Sequence, residues 1–298
     1  MFVIRNKKIF LLLSLASVLF SVASIFFKGI PVGIEFAGGS IIEIKYTREI
    51  ADKAEVETLL SQDFSSYSLR SIGENGYALR MSELNQEGQR IALKALSLDD
   101  TVDISIERIS DIGPTISGEL QKKALYAILI VILVILLYVA FSFRKASKEV
   151  SAWSYGFATI ISLMHDVIVP AGLFVWYSHF THAEFDVLFI MASLAILGYS
   201  VNDTIVIFDR VRENLIKNEE DRNDEDFESV IGKSLTQSLA RSINTSLTTG
   251  LVLGVLFFIG GISTQAFAFL LFMGVIAGSY SSICLATPLL AIFKRKVR

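Results

Sequence analysis

The sequence predicts an α-helical membrane protein with six transmembrane helices and one small α+β domain placed between the first and the second. Three observations carry this. Of the 298 residues, 52% are hydrophobic and the mean hydropathy is +0.55, too apolar for a soluble chain that must also cover its own surface. The apolar residues collect into six runs, each long enough to span a bilayer. From Gly39 to Ser110 that pattern gives way to short, polar-interleaved elements, the mark of a segment folded in water.

The first run, Ile9 to Phe27, follows Arg5, Lys7 and Lys8 and is succeeded by Lys28-Gly29-Ile30-Pro31. With no clear small-x-small cleavage site there, it reads as an uncleaved anchor helix rather than a signal peptide. The later runs are Ala124 to Phe143, Ala152 to Tyr177, Phe185 to Phe208, Ile243 to Ile262 and Ala266 to Phe293. Short basic segments fall on one side of this arrangement: the N-terminus, then Arg144, Lys145 and Lys148, then Arg210, Arg212 and Lys217, then Lys294, Arg295, Lys296 and Arg298. The opposite side holds Ser178 to Glu184 and Gly260 to Gln265, both without Lys or Arg, and the long segment Lys28 to Lys123. The positive-inside rule therefore predicts cytoplasmic N- and C-termini, and long segments translocate largely regardless of their charge. On this reading residues 1–28 form the first helix and 29–120 an extracytoplasmic domain. Residues 121–298 form a five-helix bundle with a cytoplasmic connection at 209–242 and a basic tail.

The elements of the domain read in order. Ser40 to Tyr46 is a strand, Ala51 to Gln62 a helix, and Tyr67 to Ile72 a second strand, with Asn75-Gly76 marking a hairpin turn before Tyr77 to Met81. A helix over Asn85 to Leu96 and an alternating strand, Val102 to Ile109, complete βαββαβ, the order of a ferredoxin-like sandwich. The glycine-rich entry Gly33 to Ser40 has no helix after it and no Lys-Ser or Lys-Thr pair. It reads as a turn into the first strand rather than a phosphate cradle. Asp52, Glu55 and Glu57 read as charges of a solvated face. The domain contains no His or Cys, and no nucleophile is paired with a base outside the membrane, so the chain is not read as an enzyme and no cofactor is implied.

The formal net charge of -3, with basic residues in short clusters beside apolar runs, argues against nucleic acid binding. Cys284, the only cysteine, lies inside an apolar run and leaves neither a disulfide framework nor a Cys-based metal site. Charges at membrane depth are costly and rare, so three carboxylates stand out. Asp166, next to His165, falls midway along the third run. Asp203, in Asn202-Asp203-Thr204, lies shortly before the basic end of the fourth; no Gly or Pro interrupts Tyr199 to Lys217, so the helix is expected to run on. Asp209, next to Arg210 and Arg212, reads as an exposed charge at the interface.

Across the connection, Arg241-Ser242-Ile243-Asn244-Thr245-Ser246 gives the fifth run a small, polar entrance suited to close helix packing. An arginine there favours an ionised Asp203 when the helices pack side by side and favours it less when they part, the behaviour of a proton switch. The competing reading of Arg241 is an interfacial anchor that snorkels. Before it, Phe227, Val230, Ile231, Leu235 and Leu239 have the spacing of an amphipathic helix lying on the membrane surface, in contact with lipid.

Together these segments resemble the bacterial SecF family. The matching strings are Gly33 to Ser40 after the first span, Gly113-Pro114 with Gly118-Glu119-Leu120 before the second, and His165-Asp166 in the third. More specific are Asn202-Asp203-Thr204-Ile205-Val206-Ile207-Phe208-Asp209-Arg210-Val211-Arg212-Glu213-Asn214 and Arg241-Ser242-Ile243-Asn244-Thr245-Ser246. Glu35 and Ala37 stand where the family pattern has Asp and Thr. The resemblance implies a chain of the bacterial inner (plasma) membrane that pairs with SecD into a twelve-span assembly of the RND transporter type. That assembly is associated with the SecYEG channel, often with YajC, and uses the proton or sodium motive force to promote translocation of unfolded preprotein. It also makes Asp203 the titrating carboxylate and Arg241 its partner. The candidate ion-coupling set is thus Asp203, Arg241 and Asp166, with His165, Asn202, Thr204, Asn244, Thr245 and Ser246 as a supporting polar network and no metal site. An RND-type small-molecule efflux component and a non-motor assembly factor remain the alternatives. The first would need a far larger external region; the second would tolerate Asp203→Asn.

Overall fold

The computed structural model describes residues 2–47, 50–73, 75–82, 84–144, 150–221 and 225–294. Of the basic residues used to orient the spans, Lys145, Lys148, Arg295, Lys296 and Arg298 lie outside the described residues. The chain forms two compact units, Met1–Pro31 with Tyr126–Arg298, and Val32–Leu125.

The first unit is helical. Its elements are α1 (Lys7–Lys28), then, from Tyr126 on, the rest of α4 (Pro114–Ser142), α5 (Ala152–Thr181), α6 (Val187–Glu220), α7 (Phe227–Ile259), α8 (Ile262–Ser281) and α9 (Thr287–Ile292). A π-helical turn, Ser282–Ala286, joins the last two. Among the described residues six helices are long and apolar enough to cross a membrane, with α8, the π turn and α9 together making the sixth. Helix is what such runs must form, because hydrocarbon offers backbone amides no partner outside their own segment. Pro288 accounts for the π turn: it brings no N–H to the carbonyl four residues earlier, and its ring crowds that carbonyl, so the helix widens just before it. The hydroxyl of Thr287 donates instead to the carbonyl of Ser282 at 2.7 Å.

α6 has 34 residues and is therefore about 51 Å long, against roughly 30 Å of hydrocarbon. The predicted connection at 209–242 is accordingly mostly helix, and only residues 221–226 join α6 to α7. The structure also corrects the amphipathic helix expected on the membrane surface. Phe227, Val230, Ile231 and Leu235 are buried against Ile4, Phe208, Val211, Leu215 and Leu290. Apolar periodicity announces that a face needs covering; it does not say whether lipid or protein covers it.

Burial ranks the spans. In α5, 61% of the apolar window is enclosed by the protein, against 6% in α4 and 11% in α7, so α5 runs through the middle and the other two lie outside. Contact between α1 and α5 rests on small residues: Ser14, Ser21 and Ser24 are buried, and a Cβ added to Gly172 would lie 2.3 Å from Ser21 Cβ and 2.5 Å from its Cα.

The second unit holds β1 (Gly39–Tyr46), α2 (Lys53–Asp63), β2 (Tyr67–Ile72), β3 (Gly76–Met81), α3 (Gln86–Leu96) and β4 (Ile104–Ile112). The strands form one antiparallel sheet in the order β2-β3-β1-β4, with a register shift between Glu43 and Ile44. Alternation along the strands sends Ile42, Ile44, Tyr46, Leu69, Tyr77, Leu79 and Met81 into a core closed by Val56 and Leu60 of α2 and Ala92, Ala95 and Leu96 of α3. Tyr46 and Tyr77 meet edge to face at 5.6 Å, and their hydroxyls donate to the carbonyls of Leu96 and Ala51. Asp52, expected only as a surface charge, caps α2 by accepting from the amide of Ala54 at 3.2 Å.

Two local expectations change. The hairpin closes at the pair Ile72 and Gly76, and the positive φ of +59° falls on Gly73. Gly76 lies in the strand, where a Cβ would meet the carbonyl oxygen of Ile44 at 2.5 Å. In the glycine-rich entry a single helical turn, Ile34–Ala37, precedes the turn into β1; it is too short for periodicity to reveal. Gly38 and Gly39 then turn the chain at φ of +75° and +115°.

Glu43 lies half-buried on β1. Burial pushes its carboxyl above the ordinary 4.5, Arg108 opposes this, and Glu107 and Glu35 add to it. The folded state therefore holds this proton more tightly than the unfolded chain. The stability it contributes is complete below 4.5 and is lost as pH rises through the higher folded value. Glu43→Gln is expected to increase amide-exchange protection along β1 at pH 7 and to leave it unchanged at pH 4.

Candidate functional site

Asp166 sits where α1, α5, α6 and α8 meet and is completely buried. Its Oδ1 lies 2.9 Å from His165 Nδ1, while Oδ2 accepts from the hydroxyls of Ser200 on α6 and, at 2.7 Å, Ser281 on α8. His165 Nε2 is 3.2 Å from Ser17 Oγ of α1, and the imidazole stacks on Tyr280 with centroids 5.8 Å apart. The Tyr280 hydroxyl donates to the carbonyl of Phe10 at 3.1 Å and receives that of Ser14 at 3.2 Å. A buried carboxylate costs several kcal/mol unless partners replace its water, and Asp166 has them from three helices.

Asp203 lies one turn further along α6 and is 4% exposed. Its compensation comes from two serines of α7 and is weak: Ser242 stabilises the carboxylate without a hydrogen bond of full geometry. Ser246 of α7 donates to Oδ2 at 3.5 Å, the outer limit of a hydrogen bond, and itself receives the hydroxyl of Ser279 of α8. Beside it, Thr204 and Ser282 share a hydroxyl contact of 2.8 Å. Arg241 makes no ion pair with Asp203 among the described residues; it is exposed on α7 and attracts the carboxylate through space. Its side chain lines a groove with Val206, Asp209, Arg210, Glu213, Gln237 and Ser238. Asp209 pairs with Arg212 at 3.4 Å on the surface.

Of the residues singled out in sequence, the structure thus gathers Asp166 with His165, and Asp203 with Ser246, while Thr204 meets Ser282 and the carbonyl of Ser200. Asn202 and Asn244 are exposed on their helices, and Thr245 donates back to the carbonyl of Arg241 at 2.9 Å, so these three lie outside the cluster. Sequence reasoning missed Ser17, Ser200, Tyr280, Ser281 and Ser282. One signal was available: the serines of α1 stand at 14, 17, 21 and 24, the spacing of a single helix face.

Six helices long and apolar enough to cross a membrane among the described residues, with a buried carboxylate network where four of them meet, define the class as a multi-pass membrane protein. Residues 93–296 match the family described as Protein export membrane protein SecD/SecF, C-terminal, and residues 23–50 match the SecD/SecF GG Motif. The protein translocase subunit SecF of Sebaldella termitidis is 33% identical over 295 residues, covering 98% of this chain and 91% of that one. Its counterpart in Petrotoga mobilis is 34% identical over 307 residues, covering 98% and 96%. The crystal structure of SecDF, a translocon-associated membrane protein from Thermus thermophilus, superposes with a TM-score of 0.83 at 28% identity, over 97% of this chain and 38% of that one. This chain belongs to the SecD/SecF family of protein export membrane proteins.

Proposed function

We propose that the chain is the SecF half of an export motor in the bacterial inner membrane. Its termini face the cytoplasm, and the ferredoxin-like unit Val32–Leu125 lies outside, where it engages emerging polypeptide. SecD supplies the other half of a twelve-span RND-type assembly, which works beside SecYEG, often with YajC, and draws on the proton or sodium motive force after the ATP-driven stage. The chain itself carries out no bond-making chemistry. The observation that carries this reading is Asp203, buried on α6 against Ser242 and Ser246 of α7, with one long hydrogen bond to Ser246 and its arginine out of contact. Ionised, the carboxylate draws α7 and Arg241 toward it; neutralised by an ion, it releases them, so occupancy becomes helix movement. Asp166 is the second coupling group, with His165, Ser246 and Thr204 in support. A small-molecule efflux component would need a much larger region outside the spans than Val32–Leu125.

The test is preprotein translocation into inverted membrane vesicles containing the complex with SecD, followed after the ATP stage under imposed gradients. Selective collapse of either the proton or the sodium gradient should halt the late stage. Translocation indifferent to both would overturn the motor reading.

A further inference from the structure

We propose that His165 and Asp166 form a second proton-bearing site that holds one exchangeable proton between Nδ1 and Oδ1 and reports its loading through Ser17. The role rests on the ion-coupled reading above; the site itself rests on counting hydrogens.

Ser17 has one hydroxyl proton and two neighbours. It lies 2.8 Å from the carbonyl oxygen of Ser14, which can only accept, and 3.2 Å from His165 Nε2. When that proton is on the carbonyl, Ser17 Oγ accepts at its lone pair and Nε2 carries a hydrogen; when it is on the ring, Nε2 is the acceptor. On the other side of the ring, Nδ1 and Oδ1 stand 2.9 Å apart and need one hydrogen between them. The second carboxylate oxygen is already served by Ser200 and Ser281 and places no further demand.

With the Ser17 proton on the carbonyl the pair is loaded and carries no net charge: imidazolium beside carboxylate, or neutral imidazole beside carboxylic acid. Both keep every one of these bonds. Release of one proton leaves the pair at −1 and the ring with a single hydrogen. Nδ1–H then serves Asp166, Nε2 becomes an acceptor, and the Ser17 hydroxyl must swing from the Ser14 carbonyl to the ring. Loading is thus read out on α1, the helix that packs tightly on α5 at Gly172.

The other groups around the pair bear on its titration. From α1 comes Ser17, with Ser14 on the Tyr280 hydroxyl. From α6 come Ser200 and, one turn on, Asp203; from α8 and the π turn come Tyr280, Ser281, Ser282 and Cys284. Asp203 is the one carboxylate among them, so the two acidic sites repel when both are ionised.

The test is solid-state NMR of the full complex in lipid, with this chain ¹⁵N-histidine-labelled, SecD unlabelled, and His179 and His182 replaced by Gln so that His165 alone reports. The expected result is a protonated Nε2 at neutral pH that converts to the Nδ1–H tautomer as pH rises. In Asp166→Asn that conversion should disappear, and in Ser17→Ala its midpoint should move by at least about tenfold in proton concentration. An Nε2 without hydrogen throughout the pH range would overturn the proposal and make His165 an ordinary packed histidine. Should Asp166→Asn fail to assemble, the wild-type and Ser17→Ala titrations decide alone. The spectra do not depend on transport, so failure of the motor reading and failure of this site are separable.

Discussion

Asp203→Asn is expected to remove the gradient-driven part of export while leaving the chain and SecD at normal levels in the membrane. Asparagine keeps the size and the acceptor oxygen that Ser246 meets, so the helix contacts survive; only the exchangeable charge is lost. Coupling free energies of about 1–3 kcal/mol correspond to factors of roughly 5–150, so the gradient-dependent component should fall at least about fivefold. Export in cells, with both subunits quantified in the same samples, measures this. Undiminished export would remove Asp203 from coupling and leave it a packing role, as in a non-motor assembly factor.

Gly172→Ala should have the largest effect on stability. The added methyl would lie 2.5 Å from Ser21 Cα, and backbone cannot swing aside as a side chain can, so α1 and α5 must separate. Overpacking of this kind costs about 1–3 kcal/mol. The separation would also pull Ser17 from His165. Gly250→Ala is the internal comparison, because its new methyl makes only ordinary contact with Phe272 at 3.5 Å. Thermal denaturation of the detergent-solubilised complex should show a lower midpoint for Gly172→Ala and little change for Gly250→Ala. Equal midpoints would mean that the α1–α5 contact is looser than its distances imply.

The spans were legible because a bilayer fixes how long an apolar run must be, and Asp166, His165 and Asp203 because charge at that depth is conspicuous. Their hydroxyl partners were not. Serine is common where helices touch, and nothing in one run of sequence says that Ser17, Ser200 and Ser281, on three different helices, converge on one place. The opposite error arose from adjacency. Asn202 neighbours Asp203 in the chain, but successive helical residues point about 100° apart, so one is buried and the other exposed. The sheet was readable strand by strand from its alternation, whereas the hairpin loop and the turn before β1 depended on glycine conformations that composition does not locate.

The last span contains a frame shift. A π turn is a helix holding one residue more than its pitch requires, so everything from Thr287 to Ile292 is rotated by about 100° from where an unbroken α-helix begun at Ile262 would put it. The stretch ending in Ser281 and Ser282, whose hydroxyls meet Asp166 and Thr204, and the stretch with Leu290 and Ala291 in the core are consequently aimed independently of each other. That surplus residue is also slack. It lets the hydroxyls before Pro288 and the apolar side chains after it each meet their own partners within one continuous span.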